Sequence, residues 1–263
     1  MTPPLHHDVT GPNDAPPLLL GPSLGTSTEV WGPQLPSLSR NFRVIRFDLP
    51  GHGGSPASLL PGPDSGATTV DALAGLVLHL ADHLSLPRFH YAGISLGGAI
   101  GAHLALRTPE RVASLALVCS SAHFGGPAPW RERAALVRAE GTGPLLAATP
   151  ARWFASRGGA ATEREARLLD GLAGCDPDGY AACCDALATY DIRARLSEIA
   201  TPTLVIGGTR DLATPLEHAE ELAAGIPGAT LTTVRTGHLA AEQPRTVATA
   251  LLTHLATCPT PNI

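Results

Sequence analysis

The sequence predicts an α/β fold: a mostly parallel central sheet with helices on both faces and an inserted helical cap. Three observations carry this. Short apolar runs alternate with amphipathic helical patterns. The runs read as strands buried on both faces, the pattern of a parallel sheet. Between residues 122 and 199 the alternation stops, and helical segments rich in Ala and Arg follow one another without a convincing strand.

The strands are expected at Leu18–Leu20, Arg43–Asp48, Phe89–Ile94, Val112–Val118, Pro202–Ile206 and Ala229–Val234, each with turn residues near its ends. The first helix is expected over Val70–Leu84, where Leu73, Leu76, Val77, Leu80 and Leu84 share one face. Further helices are expected over Gly98–Arg107, Leu216–Ile226 and Thr246–Leu255. Residues 1–121 and 200–263 then form the core, and 122–199 the cap. No internal repeat interrupts this plan.

With 263 residues, 44% of them hydrophobic and 16% charged, the chain can bury one large core and is not a disordered polymer. All 18 basic residues are arginine, and the net charge of −5 gives no basic field for nucleic acid or anionic lipid. The start, "MTPPLHHDVTGPNDAPP", has neither a basic n-region nor an apolar h-region, and no stretch reaches the roughly 18 apolar residues of a membrane span. A cytoplasmic protein without nucleic-acid or membrane partners is expected. Five cysteines, an odd number with no C-x-x-C, fit reduced thiols. Adjacent Cys183 and Cys184 suit the packing of a cap helix better than redox or zinc chemistry. Nothing in the sequence specifies an oligomeric state.

One stretch carries chemistry. Gly93-Ile-Ser-Leu-Gly97 matches G-x-S-x-G, follows an expected strand and opens an expected helix, the setting in which a serine is held on an exposed, strained turn. A serine hydroxyl is a poor nucleophile until a base takes its proton, and the base needs an acid to fix its tautomer. Downstream of Ser95, Asp211 follows one expected strand and His238 follows another, both at the strand ends where open parallel sheets bind ligands. Asp176, Asp185 and Asp191 lie in the cap instead, and His218 and His254 fall within helical patterns. Ser95, Asp211 and His238 are therefore the expected catalytic triad. The backbone N–H of Leu96, next to the serine, is the first expected oxyanion donor. His52, in "PGHGGS", reads as a turn-stabilising residue rather than a base.

The stretches "SLGTSTEVWGPQLPSLSRNFRVIRFDLPGHGGS", "GISLGGAIGAHLALRTPERVASLALVCSSA" and "TPTLVIGGTRDLATP" resemble the α/β-hydrolase family, and "DPDGYAACCDAL" in the cap resembles its 3-oxoadipate enol-lactonases. The resemblance places the triad on the same three residues and the second oxyanion donor on the Leu24 amide, in the loop "LLLGPSLGTS". Two departures stand out: Pro22-Ser23 replaces the His-Gly of many hydrolases, and Pro50 replaces the Arg usual in R-G-H-G-x-S.

By resemblance the substrate is an enol-lactone bearing one carboxymethyl group, opened without metal or cofactor to 3-oxoadipate. A small anionic substrate needs a cation, and residues 123 to 174 hold Arg131, Arg133, Arg138, Arg152, Arg157, Arg164 and Arg167. Most of these suit solvated helix faces, as Glu163 with Arg167 would at i,i+4. Trp130, Arg133 and Trp153 are the candidates for the pocket wall. The alternatives are a general carboxylesterase, a cofactor-free perhydrolase or a non-catalytic ligand receptor on the same scaffold. A haloalkane dehalogenase would carry Asp where this chain has Ser95.

Overall fold

The computed structural model describes residues 3–155, 162–240 and 243–258. A seven-stranded sheet runs in the order β1-β3-β2-β4-β5-β6-β7, built from β1 (His7–Thr10), β2 (Pro17–Gly21), β3 (Arg43–Phe47), β4 (Phe89–Ile94), β5 (Val112–Val118), β6 (Thr203–Gly208) and β7 (Thr230–Val234). All neighbours pair in parallel except β1, which is antiparallel to β3. β2, β4, β5 and β6 are buried along their whole length, as the uninterrupted apolar runs require. Each fully buried leucine in β2 stabilises the fold by about 1.5–3 kcal/mol relative to an exposed one.

Both edges depart from expectation. β1 has no signature in the sequence, because "HDVT" has no apolar run; as an edge strand it needs none, and its partner is fixed by backbone pairing with β3. β7 is a strand as expected but is not buried on both faces: Leu231 is 38% exposed, and Thr230 and Thr233 are open to solvent. Threonine suits such a pleated, half-wet surface.

The helices are α1 (Leu35–Leu38), α2 (Val70–His83), α3 (Leu96–Arg107), α4 (Pro127–Glu140), α5 (Thr149–Trp153), α6 (Glu163–Ala173), α7 (Pro177–Ala188), α8 (Leu216–Gly225) and α9 (Pro244–Ala256), and they cover both faces of the sheet. α3 starts two residues before the expected Gly98, directly after Ser95. It packs on β4 and β5 and against α2, while α9 packs on β6 and β7 and against α1.

Four helices, α4 to α7, lie between β5 and β6, and no strand occurs there among the described residues. α4 packs along α7 and is tied to it by Arg138, whose guanidinium meets Asp185 at 2.5 Å. Cys183 and Cys184 are buried in α7 as free thiols; burial pushes Cys184 up to about 12 and holds Cys183 well above the ordinary thiol range. The start of α7 meets the loop after β3 at backbone distance. The Asp176 N–H donates to the Gly51 carbonyl at 2.8 Å, and a Cβ on Gly179 would fall 2.4 Å from the Gly51 Cα. A Cβ on Gly51 would fall 2.5 Å from the Gly179 Cα, so neither position has room for a side chain.

Candidate active site

Ser95 occupies the turn between β4 and α3 with φ 55° and ψ −116°, a conformation that costs a non-glycine residue about 1–3 kcal/mol. The surroundings hold it there. Its N–H donates to the Val118 carbonyl at 3.0 Å, and its own carbonyl accepts from Ser120 Oγ at 2.8 Å and from the Ala99 N–H at 3.0 Å. The flanking glycines let α3 dock on the sheet: a Cβ on Gly93 would lie 2.2 Å from the Gly97 carbonyl, and one on Gly97 would lie 2.5 Å from the Gly21 carbonyl oxygen. The side chain is thus lifted to the first turn of a helix, where the orphan amides favour negative charge.

Asp211 follows β6 and His238 follows β7, and both are buried. Asp211 Oδ1 accepts from the Ala213 and Thr214 amides at 2.7 and 2.9 Å, which fixes the carboxylate plane. Its Oδ2 accepts from His238 Nδ1 at 2.9 Å and lies 2.7 Å from the Thr214 hydroxyl. Burial alone would raise the Asp211 pKa. The His238 ring and the Thr214 donors outweigh it, and the carboxyl sits below its ordinary value. With Nδ1–H donated to Asp211, the Nε2 lone pair of His238 is left available. Ser95 and His238 line the same cavity with no direct hydrogen bond between them; such contacts commonly tighten only when substrate is loaded.

Leu24 lies in the turn after β2, and its amide, like that of Leu96, has no acceptor among the described residues. The adjacent Gly25 N–H donates to His52 Nε2 at 3.0 Å, and His52 Nδ1 meets the Pro50 carbonyl at 2.9 Å, so the ring carries its proton on Nδ1. Ser23, Leu24, Ser95 and His238 line one cavity, open at its mouth, with both polar and apolar walls. Trp130, Arg133 and Trp153 all line it.

The alpha/beta hydrolase fold family model matches residues 16–155, just over half of the chain. The chain belongs to the α/β-hydrolase family. A second model, described as TAP-like protein, matches residues 178–263 of the hydrolase. The hydrolase is 34% identical to 3-oxoadipate enol-lactonase 2 of Acinetobacter baylyi over 92% of this chain and 89% of that one. It is 35% identical to a candidate carbamate hydrolase, RutD, of Pseudomonas syringae pv. syringae, over 85% of this chain and 86% of that one. Among solved structures, the enol-lactonase from Burkholderia xenovorans superposes with a TM-score of 0.88 at 36% identity, covering 96% of each chain.

The hydrolase sorts the arginines of residues 123 to 174 by partner. Arg138 holds Asp185, Arg164 donates to the Val30 carbonyl at 2.7 Å, and Arg167 pairs with Glu163 at 2.8 Å. Arg131 is exposed on α4, and Arg157 lies outside the described residues. Arg133 and Arg152 form no ion pair among the described residues and both line the cavity. Arg133 lies 4.9 Å from the centre of the Trp130 ring. It is near enough to the Tyr180 hydroxyl to oppose the rise that burial imposes on that phenol. Partial desolvation and then the Arg133 charge lower the Arg152 pKa, the mark of two cations sharing one space.

Thr214, Tyr180 and Phe124 also line the cavity, Tyr180 and Phe124 without any mark in the sequence, and Arg152 joins them as one of the seven arginines of residues 123 to 174. Thr214 had a local signal, since Asp-x-x-Thr lets the carboxylate cap the threonine amide. The rival residues have structural partners instead. Asp176 caps α7, Asp191 pairs with Arg193 at 2.6 Å, His218 meets Ser121 at 2.5 Å, and His254 packs beside Cys258 in the last turn of α9.

Proposed function

We propose that this hydrolase opens 3-oxoadipate enol-lactone to 3-oxoadipate, with Ser95 as nucleophile, His238 as base, Asp211 as the residue that orients it, and residues 122–199 serving as the cap. The observation that carries the substrate class is the pair of unmatched guanidiniums, Arg133 and Arg152, in the cavity that also holds Ser95 and His238. A small acid fits there: its carboxylate is matched to the arginines and its ring to the apolar walls of Trp130, Trp153 and Phe124. The similarity to two enol-lactonases supports the ring to be opened.

In this mechanism His238 Nε2 takes the Ser95 proton as Oγ attacks the lactone carbonyl, and the Leu24 and Leu96 amides receive the oxyanion. Collapse breaks the ring C–O bond and expels an enolate, which is protonated and becomes the ketone. Water, deprotonated by His238, then attacks the acyl-enzyme, restoring Ser95 and releasing the second carboxylate. The five free thiols fit work in the reducing cytoplasm.

The resemblance to the carbamate hydrolase candidate favours a second reading, a carbamate as the small anion. The deciding experiment follows the loss of enol-lactone ultraviolet absorbance with purified protein and with Ser95→Ala. The triad predicts a fall of about 10⁴ or more in kcat for the variant. Brisk hydrolysis of carbamates or simple aryl esters with no turnover of the lactone would reject the lactonase. Equal rates for wild type and Ser95→Ala on every substrate would reject Ser95 as nucleophile.

A further inference from the structure

We propose that His52 is a positioning residue of the oxyanion hole: by accepting the Gly25 N–H it fixes the peptide on the far side of Leu24, so that the turn presenting the Leu24 amide keeps its shape. The inference rests on the reading of Leu24 and Leu96 as oxyanion donors. The loop that carries Leu24 is a four-residue turn closed by the Thr26 N–H donating to the Ser23 carbonyl at 3.1 Å. Gly25, at the third position, has φ +81°, while Leu24 is not among the positive-φ residues, which makes the turn type II. A side chain at Gly25 would also meet Leu172, Trp153 and Tyr180 within 3.3 Å.

Leu24 sits between two peptide planes, and each is held separately. On one side the Ser23 carbonyl accepts from both the Thr26 N–H and, at 2.8 Å, the Thr26 hydroxyl, which fixes the plane that carries the Leu24 N–H. On the other side lies the Leu24–Gly25 peptide, the plane whose flip converts a type II turn into type I. The His52 ring stops that flip by taking the Gly25 N–H at 3.0 Å.

The ring itself is fixed from three directions. Its Nδ1–H donates to Pro50, Tyr180 of α7 stacks on it at 5.9 Å and 24°, and only 1% of it is exposed. Burial lowers its pKa, so the neutral form with an accepting Nε2 persists at neutral pH. His52 does not line the cavity, so it acts through the turn and not on the substrate. A neutral imidazole offers one donor and one acceptor across a rigid ring, the combination needed to span Pro50 and Gly25.

The test compares p-nitrophenyl acetate with its thiono analogue, whose developing sulfur anion is a weak acceptor for oxyanion-hole amides. Wild type is expected to prefer the oxo ester strongly. His52→Phe is expected to lower kcat on the oxo ester about 10²-fold, as loss of one oxyanion donor does, with little change in KM. It should lose far less on the thiono ester, so the oxo-to-thiono ratio collapses. His52→Gln, which restores an acceptor at similar reach, should recover most of the ratio. Thr26→Val, which loosens the other plane, should reduce the ratio in a chain that keeps His52. An unchanged ratio in His52→Phe, or an equal loss on both esters, would overturn the role of His52 while leaving the oxyanion reading intact. Wild-type enzyme without oxo preference would overturn the oxyanion reading itself.

Discussion

Removing either cavity arginine should separate anionic from neutral substrates. A hydrogen bond to a charged group contributes about 1.5–3 kcal/mol, so Arg133→Met or Arg152→Met should raise KM for the enol-lactone by about 10- to 150-fold. A full unit-charge contact at 4 Å and an effective dielectric of 20 would be about 4 kcal/mol, which sets the ceiling. Arg152 is exposed at the cavity rim and falls at the low end of the range; Arg133, half-buried against Trp130, falls at the high end. Initial rates on the lactone and on the methyl ester of its side-chain carboxylate measure the effect. The carboxylate does not react, so kcat should change little, and KM for the methyl ester should be nearly the same in all three proteins. Each single variant also relieves the repulsion between the guanidiniums and should melt no lower than wild type, apart from about 0.5–1 kcal/mol of Trp130 stacking lost with Arg133. If KM for lactone and methyl ester rose in parallel, the arginines would be shaping the cavity rather than binding a carboxylate.

Three further outcomes follow from the same geometry. Gly93→Ala places a Cβ 2.2 Å from the Gly97 backbone, so it should cost at least about 3 kcal/mol and lower Tm by roughly 6 °C or more in calorimetry. For Asp211 the folded pKa is depressed, so ionisation stabilises the native state at pH values above the ordinary carboxylate range. That contribution fades as pH falls through the depressed value, and the gap in stability between wild type and Asp211→Asn should be constant above about pH 5 and shrink below about pH 4 in pH-dependent melts. With a thiol reagent at pH 8, half-buried Cys258 should be the first to react in the native protein, while Cys175 and Cys184, both pushed up to about 12, react only after unfolding.

The sequence exposed what burial and backbone geometry write locally. β2, β4, β5 and β6 are legible because a strand covered on both faces must be apolar throughout, whereas β1 is invisible because an edge strand has no such need. The Ser95 turn is legible because the close approach of α3 to β4 demands glycine at 93 and 97. The arginines are different. Arg133 and Arg138 stand five residues apart on α4 in similar sequence, yet one lines the cavity and the other meets Asp185, a residue of α7. That choice belongs to helix packing, as does the meeting of Tyr180 with His52, and no pattern along the chain announces either one.

The Gly51–Gly179 contact has a consequence for redesign. Each backbone fills the space that the other's side chain would need, so the loop after β3 and the first turn of α7 are a matched pair, like two halves of a mould. Replacing residues 122–199 by the matching segment of another hydrolase to change substrate will succeed only where glycine stands at position 179 or residues 50–54 travel with it. A foreign α7 bearing any side chain at position 179 would lift off the loop and take the Tyr180 stack on His52 with it.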